Sequence, residues 1–251
     1  MQQERYLKST DLNGYIDHVN EWLKFSSIEW HAILLSIKAA SISTICSLPF
    51  GIGISWLLSK SRLPGKVWIE NLFTIPLVLP PIVTGYFLLV LLGQNGIIGA
   101  SLYKWFGLQI AFTWKGAAVA SGVVAFPLMI QTIKVSMDSV DPKLERAAQL
   151  LRANPLQVFF SVTLPLSYRG IIAGSVLAFA RAFGEFGATI MLAGNISEKT
   201  QTIPLAIFSL FNQVDGEHSA LRLIIISIII CYFSLIAACW FSKQWRVGKS
   251  R

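Results

Sequence analysis

Five apolar runs alternate with short polar segments along the chain. They cover roughly residues 31–58, 68–93, 115–136, 170–194 and 221–241, and Ile224–Ile230 in the last run carries the clearest signal. A membrane-spanning helix needs about 20 mostly apolar residues, and each run is long enough to supply them. The pattern therefore predicts an all-α integral membrane protein with five transmembrane helices.

Prolines interrupt two of these runs. Pro76, Pro80 and Pro81 break the second run, and Pro127 lies in the third. Proline removes a backbone donor and kinks a helix, which lipid tolerates only where neighbouring helices or a cavity satisfy the freed carbonyl groups. These positions indicate either irregular packing or bent helices that line a pathway.

The distribution of Lys and Arg predicts the orientation in the membrane. The segments 94–114 and 195–220 contain only Lys104 and Lys199. The other connections and the C-terminal tail contain eleven such residues: Lys60, Arg62, Lys66, Lys143, Arg146, Arg152, Arg169, Lys243, Arg246, Lys249 and Arg251. Because cationic residues accumulate in cytoplasmic loops, we expect a multi-pass inner-membrane protein with its N-terminus outside and its C-terminus in the cytoplasm.

Residues 1–27 form an extension before the first span, and residues 28–251 form one transmembrane domain. A helical apolar stripe runs along this extension through Leu12, Tyr15, Ile16, Val19 and Leu23. Such a stripe is typical of a short amphipathic helix on the outer membrane–water interface. A flexible extension is the alternative interpretation.

Composition excludes several other classes of protein. Hydrophobic residues make up 54% of the chain and charged residues 14%, whereas soluble domains carry about 25% charged residues. The net charge of +8 is dispersed between the apolar runs, so it does not predict nucleic-acid binding. Cys46, Cys231 and Cys239 lie in apolar stretches, which predicts buried thiols and no metal site. No catalytic residue is predicted within the spans.

The segment from Met137 to Gly170 predicts two short cytoplasmic helices. Asp141–Pro142 is a helix start, and Leu144, Ala147, Ala148 and Leu151 follow at helical spacing. Asn154–Pro155 is a second start, with Gln157 at the capping-box position, and Leu164–Pro165 is expected to end that helix. The pair is either a structural interfacial loop or a projection for a partner's groove.

This segment resembles the Glu-Ala-Ala loop of binding-protein-dependent ABC permeases, from Ala147–Ala148 through Leu164–Pro165–Leu166. The resemblance implies a coupling helix that inserts into a nucleotide-binding subunit. It differs at two positions, because Arg146 stands at the family's Glu, with Glu145 one residue early, and Arg152 stands at its Gly. The implied coupling residues are Glu145, Arg146, Ala147, Ala148, Leu151, Arg152, Ala153, Asn154, Leu164 and Pro165.

Further motifs from about Ile28 onward resemble the molybdate branch of these permeases. They are Pro76–Pro81, Gly85, Gly93–Gly96, Ala178–Thr189, Asn195 and Thr202–Ile203–Pro204. Sulfate and thiosulfate permeases share the outline, with Tyr and Ser in place of Phe186 and Ala188. The resemblance implies a type I ABC importer (MetI-like) permease fold with cytoplasmic coupling helices, which imports molybdate by alternating access. Tungstate, sulfate and thiosulfate are the alternative substrates.

The same resemblance implies the partners. They are a second copy of the chain, two cytoplasmic ATPase subunits, an external or periplasmic molybdate-binding protein and the lipid bilayer. The sequence contains no Gly-x-x-x-x-Gly-Lys-Ser/Thr motif, so we expect ATP and Mg²⁺ on the partner ATPase and no cofactor or enzymatic activity here. An ion-coupled secondary transporter is the alternative from another class, although the sequence has no evident internal repeat.

Charged and small residues inside the runs give candidates for a translocation path or gate. Arg181 and Glu185 stand four residues apart, which predicts either a structural ion pair or a gate. Lys38 either extends its ammonium towards the interface or meets substrate. Small residues of the fourth run suit close helix packing or a pore lining. The candidates are Lys38, Pro80, Pro81, Arg181, Gly184, Glu185, Gly187 and Thr189.

Overall fold

The protein is an all-helical bundle. A computed structural model describes residues 25–60, 65–214 and 216–247, so most of the N-terminal extension lies outside the described residues. The helices are α1 (Ser27–Lys60), α2 (Lys66–Val78), α3 (Pro81–Leu92), α4 (Ile97–Phe106), α5 (Trp114–Asp138), α6 (Pro142–Leu150), α7 (Pro155–Val158), a π-helix (Phe159–Thr163), α8 (Leu164–Phe183), α9 (Gly187–Ala193), α10 (Ile203–Phe211) and α11 (Glu217–Val247).

Four described helices are long and apolar enough to cross a membrane. They are Ser27–Lys60, Trp114–Asp138, the continuous segment Pro155–Phe183, and Glu217–Trp240. The second predicted span is instead a pair of helices, α2 and α3, that meet at an angle of 108°. Counted as one broken span, this pair brings the number to the five expected.

The bend between α2 and α3 falls at two of the three predicted prolines, Pro80 and Pro81, whereas α2 continues through Pro76. Leu79 and Pro80 separate the two helices, and Pro81 occupies the first position of α3, where its missing N–H leaves no bond unmade. Pro127 behaves differently, because α5 continues through it as one helix. The sequence therefore located the break of the second run correctly, but it was wrong to expect one in the third.

The predicted helix stop at Leu164–Pro165 is wrong. The chain stays helical from Pro155 to Phe183, and a π-helical turn at Phe159–Thr163 leads into α8. In that turn the Leu164 N–H donates to the Phe159 carbonyl, five residues back. Pro165, which has no N–H to donate, follows directly after this turn as the second residue of α8. The change of helical register thus accommodates the proline.

Small and apolar side chains hold the spans together. Met129 and Ile133 of α5, Phe183 of α8 and Leu223 of α11 lie in one buried cluster. The two ends of the bundle are distinguished by the elements that lie there. The loop end holds Lys60, Asp138 and the helices α6 and α7, and the far end holds the starts of α1, α5 and α11.

Candidate functional site

Helix α6 begins and ends as local chemistry dictates. The Asp141 carboxylate accepts a hydrogen bond from the Lys143 N–H at 2.9 Å, and Pro142 occupies the first helical position. At the other end the Arg152 N–H donates to the Gln149 carbonyl and the Ala153 N–H to the Ala148 carbonyl. This arrangement is a Schellman motif. The predicted start of α6 is therefore confirmed.

Arg152 occupies the left-handed position of that motif. Its φ is +62°, in a region that favours glycine because a Cβ crowds the neighbouring carbonyl. This conformation gives a physical reason for glycine at this position in the permeases that the loop resembles. Here the chain turns in the same way with an arginine, whose side chain is exposed.

The start of α7 forms the predicted capping box. The Asn154 side chain accepts from the Gln157 N–H at 2.8 Å, and the Gln157 side chain accepts from the Asn154 N–H at 2.8 Å. Two amide groups that would lack partners at the helix start are satisfied in this way. The orientation of α7 is consequently fixed by its own sequence.

Helices α6 and α7 and the π-helix have one anchored face and one free face. Val158 and Phe159 are buried, and the Phe159 ring lies 4.9 Å from the Trp56 ring of α1. On the free face, Leu150 and Leu151 are each 85% exposed. The exposed apolar residues of this free face, here termed the coupling surface, are Leu144, Leu150, Leu151, Leu156 and Phe160.

The predicted coupling residues divide between these faces. The exposed ones are Arg146, Ala147, Leu151, Arg152, Asn154 and Pro165. The half-buried ones are Glu145, Ala148, Ala153 and Leu164. Glu145 points towards the other helices of the protein rather than towards the free face of the loop. Its Oε1 lies 3.1 Å from Lys60 Nζ and accepts a hydrogen bond from Thr163 Oγ1 at 2.7 Å.

The sequence did not predict the partners of Glu145. Lys60 was interpreted only as a topology signal, and Trp56 and Thr163 were not singled out. These side chains surround a cavity of about 340 Å³ between α1 and the two loop helices. The one available signal was a glutamate displaced by one residue, which turns the carboxylate by about 100° around the helix.

The predicted pair of Arg181 and Glu185 lies at the end of α8. Arg181 Nη1 lies 2.7 Å from Glu185 Oε2, although α8 ends at Phe183 and Glu185 lies beyond it. The Glu185 carboxylate is 2% exposed and also accepts from the Ala188 N–H of α9 at 2.9 Å. It therefore bridges two helices, while the Arg181 side chain remains one-third exposed.

The small residues of this segment have different surroundings. A Cβ added at Gly187 would lie 2.9 Å from Pro81 Cβ, so α3 and α9 approach closely there. A Cβ at Gly184 would meet only the Ala180 carbonyl oxygen, at 3.9 Å. Thr189 is buried. The structure thus brings Pro81 and Gly187 together, and Gly184 does not share this contact.

Lys38 lies apart from this group. Its ammonium sits 4.0 Å from the centroid of the Trp114 ring at the far end of the bundle, a cation–π contact. Trp114 also borders a groove of about 660 Å³ between α1, α2 and α5, and Cys46 lines this groove. Cys46 and Cys239 are exposed, so the prediction of buried thiols is wrong for them. The prediction failed because an apolar stretch of a membrane protein can lie on the surface that faces lipid and need not be buried in the protein.

Two further ion pairs in the structure were not predicted from the sequence. Glu29 is 1% exposed, and its carboxylate lies 2.9 Å from Arg222 Nη2, which joins the starts of α1 and α11. Lys134 of α5 contacts Glu70 of α2 at 2.6 Å. All four residues lie near span ends, where charges usually face water, so only the fold reveals their pairing. Within the described ranges no cluster of three or more His, Cys, Asp or Glu could hold a metal ion.

Comparison with known proteins gives consistent matches. The family described as binding-protein-dependent transport system inner membrane component matches residues 47–247. The molybdenum transport system permease protein ModB of Escherichia coli is 49% identical over 223 residues, which are 89% of this chain and 97% of that protein. The sulfate transport system permease protein CysT of Salmonella typhimurium is 34% identical over 218 residues, which are 87% of this chain and 77% of that protein.

Solved structures share the fold at low sequence identity. An inward-facing form of the MetNI methionine ABC transporter aligns with a TM-score of 0.67 and 13% identity, over 88% of this chain and 99% of the other. A bacterial ABC transporter that imports alginate aligns with a TM-score of 0.65 and 14% identity, over 94% of this chain and 84% of the other. The expected MetI-like permease fold is thereby confirmed.

Proposed function

The chain belongs to the binding-protein-dependent transport system inner membrane components, and from this premise we propose that it is the permease subunit of an ATP-driven molybdate importer. One observation carries the substrate. Identity to the molybdenum permease of Escherichia coli is 49% and extends over almost the whole of that protein, against 34% for the sulfate permease of Salmonella typhimurium. Sulfate, thiosulfate and tungstate are the alternative oxyanions.

In this proposal a separate ATPase binds the coupling surface. Leu150 and Leu151 project from the end of α6, and Leu156 and Phe160 extend the same apolar patch along the second helix. Exposed apolar patches of this kind mark sites where a partner docks. Arg146 and Arg152 are exposed at the edge of the patch, so shape and apolar contact replace the glutamate that the family places at Arg146. ATP and Mg²⁺ belong to the ATPase.

The proposed assembly contains two copies of the chain, two ATPase subunits inside and a molybdate-binding protein outside. The loop end of the bundle faces the cytoplasm in this arrangement, in keeping with its lysines and arginines. The far end, with α4 and α10, then faces the binding protein. The N-terminus lies outside and the C-terminus inside.

We place the gate where α3 crosses the break between α8 and α9. Pro80, Pro81 and Gly184 are breaks in helices, and Gly187 allows the two segments to approach. Arg181 is held by Glu185 and still has one-third of its side chain exposed, so it offers positive charge to a passing dianion. Thr189 is buried on α9, two residues after Gly187. Lys38 lies near Trp114 and takes no part in this gate.

Competition between oxyanions tests the substrate. The chain is reconstituted with its ATPase and its binding protein in vesicles, and uptake of labelled molybdate is measured with a hundredfold excess of unlabelled sulfate or tungstate. We expect sulfate to leave molybdate uptake nearly unchanged. Tighter binding of sulfate than of molybdate by the binding protein, together with strong competition by sulfate, assigns the chain to sulfate import instead.

A further inference from the structure

The cytoplasmic loop is tied to the first span by side chains alone. Helices α6 and α7 are connected along the chain to α5 and α8, whereas α1 ends far from them in sequence. Ser59 Oγ at the end of α1 nevertheless donates to Asp138 Oδ1 at 2.5 Å. The next residue, Lys60, contacts Glu145 at 3.1 Å. Two consecutive residues of α1 thus hold both sides of the joint at 139–141.

The second loop helix joins the same contact. Glu145 Oε1 accepts from Thr163 Oγ1 of the π-helix at 2.7 Å, so one carboxylate oxygen links α1, α6 and the π-helix. One turn before Lys60, the Trp56 ring packs against Phe159. The last turn of α1 therefore presents one face to the whole loop.

Burial makes the charge interaction effective. The Lys60 and Glu145 side chains are 22% and 14% exposed. Water screens a partly buried pair less than a surface pair, so its attraction is stronger. Arg146, one residue on, is exposed and forms no ion pair within the described part of the chain. The Glu145 carboxylate is consequently used inside the protein rather than at the partner's surface.

We propose that Lys60, Glu145 and Thr163 form a latch that makes the cytoplasmic end of α1 move with the coupling helices. Glu145 is a positioning residue in this account, and it transmits displacement of the loop to the first span. This inference rests on the proposed function, because the displacement comes from an ATPase bound at the coupling surface. Without the latch, α1 keeps the ring contact of Trp56 with Phe159 and the hydrogen bond of Ser59 to Asp138, but it loses its charged link to α6.

Hydrogen exchange in the assembled complex tests the latch without any transported substrate. The exchange of amides 50–60 in α1 and 142–150 in α6 is compared before and after addition of a non-hydrolysable ATP analogue. In the wild type we expect both segments to respond. In Lys60→Met and Glu145→Gln we expect the α6 response to persist and the α1 response to fall several-fold, because only the Trp56–Phe159 and Ser59–Asp138 contacts remain.

Two further variants separate the latch from general destabilisation. The exchanged pair Lys60→Glu/Glu145→Lys restores opposite charges at the same positions, and we expect it to restore the α1 response. The pair Lys134→Met/Glu70→Gln removes a comparable ion pair that touches neither loop helix, and we expect a wild-type response. ATPase co-purification should be unchanged in all of these variants.

Transport per ATP hydrolysed gives the second readout. We expect Lys60→Met and Glu145→Gln to lower it by roughly fivefold, the lower end of typical coupling between linked sites. An α1 response of wild-type size in both single variants overturns the latch, even where molybdate uptake is normal. Absence of molybdate uptake in the wild type overturns the proposed substrate, while the α1 response still decides on the latch.

Discussion

Arg181 and Glu185 form an ion pair of 2.7 Å across the end of α8, and the carboxylate also accepts from the Ala188 N–H of α9. A carboxylate that is 2% exposed requires such compensation, because desolvation of an unpaired charge is costly. The pair therefore joins the two halves of a broken helix, whether or not an anion also meets the guanidinium.

Replacing Arg181 by Met should destabilise the protein strongly. Breaking a buried pair costs about 3–5 kcal/mol, and partial exposure of Arg181 reduces this to roughly 2–3 kcal/mol. Thermal unfolding in detergent measures the loss. The double variant Arg181→Met/Glu185→Gln should recover most of it, since the glutamine still accepts from Ala188 and carries no charge. Equal losses in both variants would contradict the charge argument.

Arg152→Gly should stabilise the end of α6. Arg152 has a φ of +62°, and the left-handed conformation costs a residue with a Cβ about 1 kcal/mol. Hydrogen exchange of amides 147–153 should slow about fivefold, the factor that corresponds to this energy. Arg146→Gly, inside α6, is the matched control and should accelerate exchange instead, because glycine weakens a helix interior by about 1 kcal/mol. The same direction of change in both variants would refute the conformational explanation.

Gly85→Ala should push α3 away from α9. The new Cβ would lie 2.6 Å from the Ala188 Cα, a backbone atom that cannot rotate away. Overpacking costs about 1–3 kcal/mol, so we expect a lower unfolding temperature and a smaller folded yield. Gly53→Ala is the control, since a Cβ there meets nothing within 4 Å and should be tolerated. A Gly85→Ala variant as stable as Gly53→Ala would mean that α3 and α9 do not approach this closely.

Leu150→Glu/Leu151→Glu should abolish co-purification of the ATPase and leave the fold intact. Both side chains are 85% exposed, so the change disturbs no internal packing. The control is Val214→Glu, a residue 93% exposed between α10 and α11 at the opposite end of the bundle. Deletion of Asn154–Phe160 should also abolish co-purification, although it removes the buried Val158 and Phe159 and therefore disturbs internal packing as well. An ATPase that stays bound to the double variant would contradict the proposal that it docks on the coupling surface.

Local signals made much of the fold predictable. The apolar runs located the spans, and the caps at Asp141 and Asn154 fixed the starts of α6 and α7, because each depends on a few adjacent residues. The i,i+4 spacing of Arg181 and Glu185 likewise predicted their pairing. Here neighbouring residues alone determine the geometry.

The remaining features depend on residues far apart in sequence. Proline rules predicted a stop at Leu164–Pro165, but a π-helical turn absorbed the proline. The partner of Glu145 lies 85 residues earlier, at Lys60, and that of Glu29 lies at Arg222. A single sequence carries no local sign of either pairing, because packing of α1 against the later helices creates them.

The source of energy for uptake tests the central claim most directly. The chain is reconstituted in vesicles, and labelled molybdate and the binding protein are added to the outside solution. The vesicles are prepared with or without the ATPase and internal ATP. We predict accumulation that requires the ATPase and hydrolysable ATP, and none when the chain alone is given a proton or sodium gradient. Gradient-driven accumulation by the chain without the ATPase would contradict the assignment as an ABC importer permease.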